Sequence, residues 1–93
     1  MALKGYNTVL HGRDNADAAR TCNNLAILLS EEGETTQARL LYERALRSRE
    51  TTLGKNHPDT LDTMNNLANI FYAARKYIEA KKLYEQATVQ TQY

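Results

Sequence analysis

The chain repeats itself. Laid on itself at an offset of 42, residues 12–51 meet residues 54–93 with identity at 12 of 40 positions. Gly12 falls on Gly54, Asp17 on Asp59, Thr21 on Thr63, and Asn23-Asn24-Leu25-Ala26 on Asn65-Asn66-Leu67-Ala68. Ala38, Leu41-Tyr42-Glu43 and Ala45 then meet Ala80, Leu83-Tyr84-Glu85 and Ala87. A repeat of this length is one supersecondary unit. It cannot bury its apolar face alone, and stacking against its neighbours supplies the missing cover.

Apolar spacing says what the unit is. Cys22, Leu25, Ala26 and Leu29 recur at i, i+3, i+4 and i+7, as do Met64, Leu67, Ala68 and Phe71. Ala38, Leu41, Tyr42 and Ala45 repeat that spacing, mirrored by Ala80, Leu83, Tyr84 and Ala87. Each run is one face of an amphipathic helix, so each unit is a pair of helices. Small Ala26 and Ala68 stand where a partner helix approaches closely. Gly33 offers a left-handed stop between the paired helices, and Gly54 offers another at the end of the second. Thr35 or Thr36 is expected to cap the second helix of the first unit. Arg75 replaces Gly33 in the second unit, which predicts a tighter or differently capped turn there. Helices are expected over 1–10, 17–32, 35–52, 58–74 and 77–92, with Leu25, Leu29, Leu41, Leu67 and Leu83 buried.

These residues resemble a known family. Asn23-Asn24-Leu25-Ala26, Ala38, Leu41-Tyr42-Glu43-Arg44-Ala45-Leu46 and Leu53-Gly54-Lys55-Asn56-His57-Pro58-Asp59 resemble the tetratricopeptide repeat of the kinesin light chain type, with its 42-residue units. Ala2, Leu3, Thr8 and Leu10 also echo Ala45, Leu46, Thr51 and Leu53. The chain then divides into a tail helix of a preceding unit (1–11), a first full repeat (12–53) and a second, truncated repeat (54–93), in one domain. The resemblance implies an all-α, right-handed superhelical stack of antiparallel helix pairs that serves as a non-catalytic protein-interaction module. Two departures mark the chain. The connector Gly12-Arg13-Asp14-Asn15-Ala16-Asp17 lacks the His-Pro pair, and the second unit lacks its mid-repeat glycine.

Other chemistries find little support. The net charge is +1, from 12 basic and 11 acidic residues, too weak a field to make nucleic acid the partner. The longest wholly apolar run, Leu25 to Leu29, is five residues, against the roughly 20 needed to span a bilayer. Cys22 lies on a buried stripe, and neither His11 nor His57 stands in a metal-ligand spacing, so no catalytic, metal or cofactor site is expected. A cytoplasmic setting follows from the single cysteine and the lack of a leader pattern. His57-Pro58-Asp59 matches the tripeptide of J-domain co-chaperones, which is the alternative functional reading. Its structural reading is a helix start, with Pro58 in the first turn and Asp59 at the positive end of the dipole. The basic residues Arg44, Arg47 and Arg49 read as a solvated helix end, and Leu40 as a singly exposed apolar residue.

The remaining stripe is the candidate site. With Cys22 at 0° and 100° per residue, Arg20, Asn23, Ile27 and Ser30 fall near 160°, 100°, 140° and 80°. Asp62, Asn65, Asn69 and Tyr72 are their counterparts. The resemblance places first helices on the concave side of the stack, where amides can hold the backbone of an extended protein or peptide segment. Asn23 and Asn65 read equally as struts between helices. Ile78, Leu83 and Tyr84 belong to a last helix with no following unit, so the chain is expected to be part of a longer array or to pair with another copy through an open end.

Overall fold

The computed structural model describes the backbone of residues 16–91 and the side chains of residues 17–88. The expected helix over 1–10, and with it the tail of a preceding unit, lies outside the described residues. Within them run four helices: α1 (Ala16–Glu31), α2 (Thr35–Thr52), α3 (Pro58–Ala73) and α4 (Tyr77–Thr91). Each pairs with the next: α1 packs on α2, α2 on α3 and α3 on α4. The result is an all-α stack of helix pairs, with each terminus within one residue of its expected position.

Both mid-repeat turns close in the same way. The Gly33 N–H donates to the Ser30 carbonyl at 3.1 Å, and the Glu34 N–H to that of Leu29 at 2.8 Å. One repeat later, the Arg75 N–H donates to the Tyr72 carbonyl at 3.0 Å and the Lys76 N–H to that of Phe71 at 2.8 Å. Gly33 takes φ +87° and Arg75 φ +65°. The differently closed turn expected at Arg75 is therefore not found. The hydrogen bonds of a Schellman stop hold the arginine in a left-handed conformation that costs a side-chain-bearing residue about 1 kcal/mol. The expected threonine cap is also absent. Glu34 occupies the N-cap without a side-chain hydrogen bond, and Thr35 and Thr36 already lie inside α2.

The start of α3 is better tied. His57 is its N-cap, and its Nδ1 accepts the Asp59 N–H at 3.0 Å, while Pro58 occupies the first turn. Thr60, fully buried, donates from Oγ1 to the Gly54 carbonyl at 2.7 Å and fastens the connector to the helix.

The core runs across the junction between the pairs. Ala26, Ala38 and Tyr42 of the first pair close on Leu67 and Ile70 of α3, flanked by Leu29, Leu41, Leu46, Phe71 and Leu83. A second cluster joins Leu61, Met64 and Ala87, with Leu46 against it. Of the five leucines expected inside, only Leu67 is fully buried; Leu29, Leu41 and Leu83 are half-buried. Leu25 is 45% exposed. The reason is position in the stack. Leu67 faces α2, whereas the same face of α1 meets no equivalent helix among the described residues.

Candidate partner-binding surface

The eight stripe residues separate into two groups. Asn23 is only 5% exposed, because the next unit packs onto it. Its Oδ1 lies 3.4 Å from the Thr63 hydroxyl and 3.4 Å from the Asn66 amide nitrogen, both of which can donate to it. Arg49 completes this network, donating from Nη1 to Thr63 Oγ1 at 2.7 Å and to the Asp59 carbonyl at 3.0 Å. Asn23 is thus a strut between α1 and α3 and cannot line a groove. Asn65 holds the same place in the second unit but is exposed.

Arg20, Ile27, Asp62, Asn69 and Tyr72 remain at the surface, and Ser30 is half-buried beside them. The Asn23–Asn66 bond ties α1 to α3, and the exposed residues of these two helices make up the candidate face. Arg20 pairs with Asp17 at 2.8 Å, one turn away, with both side chains exposed. Asn69 accepts a hydrogen bond from the Tyr84 hydroxyl. Tyr72, 60% exposed, meets Tyr77 edge-on with ring centroids 5.5 Å apart. Beneath the face, the Tyr42 ring is buried, and its hydroxyl pKa is raised above 10.0 by burial, then by the carboxylates of Asp62 and Glu31.

Arg49 is the residue that sequence reasoning misplaced. It was expected among the solvated arginines of α2, yet it is 6% exposed, with its buried Nε lacking a partner. The signal was available: Arg49 lies about 20° from Ala38 on the helical wheel, within the buried stripe of Ala38, Tyr42 and Ala45. Leu40, expected to be exposed, is exposed.

The described residues offer no helix long and apolar enough to cross a membrane. They offer no group of three His, Cys, Asp or Glu able to hold a metal ion. The family model described as tetratricopeptide repeat matches residues 17–88. The chain belongs to the tetratricopeptide repeat family. That match spans all four helices, and tetratricopeptide repeats generally mediate protein–protein interaction as scaffolds. A search of curated proteins gives no match to this tetratricopeptide chain. Within the family frame, α1 and α3 are the first helices of their repeats, and the surface they share is the candidate binding face. His57-Pro58-Asp59 opens the second of them as its N-terminal cap.

Proposed function

We propose that this tetratricopeptide module is non-catalytic and binds an extended segment of a protein partner along the face shared by α1 and α3. The observation that carries the reading is apolar surface held among polar groups. Ile27 and Tyr72 stay exposed on that face, between the amide of Asn69 and one charge of each sign, Arg20 and Asp62. The aromatic pair Tyr72–Tyr77 forms a step at one end that suits an apolar side chain, while the amide suits a peptide backbone. Two repeats give a short face, so affinity for one segment should be about micromolar or weaker. The 42-residue spacing supports the kinesin light chain-like subtype, and the buried Cys22 thiol suits a cytoplasmic setting.

A displayed library of random peptides tests the proposal. Selection on the parent should enrich a shared sequence whose binding is lost with Ile27→Glu and with Tyr72→Ala and kept with Lys82→Ala. Circular dichroism should match in all four proteins. Failure to enrich any sequence, or equal binding by all the variants, would sink the reading.

A further inference from the structure

The junction between the two helix pairs has a plug and a socket. The plug is one face of α3: Thr63 and Asn66 bond Asn23, and Leu67 and Ile70 enter the buried cluster around Tyr42. The socket is Asn23 of α1 with Tyr42 and Leu46 of α2. Both halves occur twice in the chain. At the plug positions α1 carries Thr21, Asn24, Leu25 and Leu28, which keep the threonine, the asparagine and one leucine and exchange Ile70 for Leu28. At the socket positions the second unit carries Asn65 and Tyr84.

Among the described residues, nothing fills the second set. Leu25 and Leu28 are 45% and 58% exposed, whereas Leu67 and Ile70 are buried. Asn65 is exposed and Tyr84 half-buried, whereas Asn23 and Tyr42 are buried. In sequence, residues 1–10 echo the stretch from Ala45 to Leu53, which includes no counterpart of Asn23 or Tyr42. Charge follows the same order. The first mid-repeat turn carries Glu31, Glu32 and Glu34, while the second carries Arg75 and Lys76 at and beside the same positions. Docking in sequence would set the basic turn of one copy next to the acidic turn of the following one.

We infer that a second copy of this chain docks head to tail, its α1 face of Thr21, Asn24, Leu25 and Leu28 seated on the α3–α4 face that presents Asn65 and Tyr84. The contact copies the junction that the chain already makes within itself. It is heterologous, so each added copy leaves a new plug and a new socket, and growth continues past the dimer. It is also weaker than the internal junction, because Thr88 stands where the socket has Leu46, and Thr91 stands where the junction's hydrogen-bond network has Arg49. Association is therefore reversible and set by concentration.

Sedimentation equilibrium of the full chain from about 10 μM to about 1 mM reads this growth directly. The parent should rise in mean mass beyond a dimer. Leu28→Lys, which spoils the plug, and Asn65→Arg, which spoils the socket, should each remain monomeric with the parent's circular dichroism. Mixed in equal amounts, they should form a dimer and nothing larger, since one good plug and one good socket remain. Leu25→Lys replaces Leu28→Lys should the latter lose helicity. A parent that stays monomeric at the highest concentration overturns the inference, whatever then covers Leu25 and Leu28. So does self-association of either variant alone, which would mark a symmetric apolar contact, or failure of the mixture to pair.

Discussion

Arg75 and Gly33 form a matched pair in which one backbone position carries two different residues. A Cβ at Gly33 would meet nothing within 4 Å, so the cost of Gly33→Ala is purely conformational, at about 1 kcal/mol. Arg75→Gly should do the reverse, stabilising by about 0.5–1 kcal/mol after the extra chain entropy of glycine. Urea melts of the two variants check both signs, and destabilisation by Arg75→Gly would show that the guanidinium contributes a contact worth more than the strain. Tyr42 supplies a second test at this scale. Its raised pKa means that the folded state holds the phenolic proton more tightly than the unfolded chain does. Its contribution is whole below the ordinary value of 10.0 and is lost as pH rises through the higher folded value. Stability should fall above pH 10, and Tyr42→Phe should flatten that part of the profile. Asn23 and Asn65 separate by environment alone. Asn23→Ala should cost about 1 kcal/mol by stripping partners from Thr63 and Asn66, while Asn65→Ala, on an exposed side chain, should stay within about 0.5 kcal/mol of the parent.

Among the helices, burial depends on what stands in front of each face, and that divides the readable from the unreadable. Leu67→Ala should cost about 2–5 kcal/mol, whereas Leu25→Ala, at the same position one repeat earlier, should cost under about 1 kcal/mol. Thermal melts of the pair check the difference, and equal losses would mean that Leu25 is covered after all. The helix limits were legible because local features set them: apolar spacing for length, Gly33 and Gly54 for stops, Pro58 for a start. Leu25 was not, since its periodicity matches Leu67 and only the order of packing tells them apart. Asn23 was open for a similar reason. An amide on a first helix can face a ligand or a neighbouring helix, and Thr63, forty residues away, decides between them. The Arg75 turn was misread because residue type was weighed over the backbone hydrogen bonds to Tyr72 and Phe71, which hold the turn closed. Arg49 was misread on charge, although its angle on the wheel already placed it inside.

The described residues form a slab, with principal extents of 42 × 30 × 16 Å, so few side chains have neighbours on every side. That shape explains why alanines and threonines fill the deepest positions and the leucines sit at their margins. Its main cluster draws Ala26, Ala38 and Tyr42 from one repeat and Leu67 and Ile70 from the other, so neither pair keeps its cover when the other opens. Unfolding followed by far-ultraviolet circular dichroism and by tyrosine fluorescence should therefore give one coincident transition. Two separated transitions would show that each helix pair holds together alone. The amide of Asn23 has a consequence beyond this cohesion. Its bonds to Thr63 and Asn66 set the rotation of one helix pair relative to the next, and in a series of like junctions that rotation is added once at every step. A small angular change at this side chain, harmless to a single junction, becomes a change of pitch along the series. The curvature of such a series is thus governed by an amide buried inside each junction.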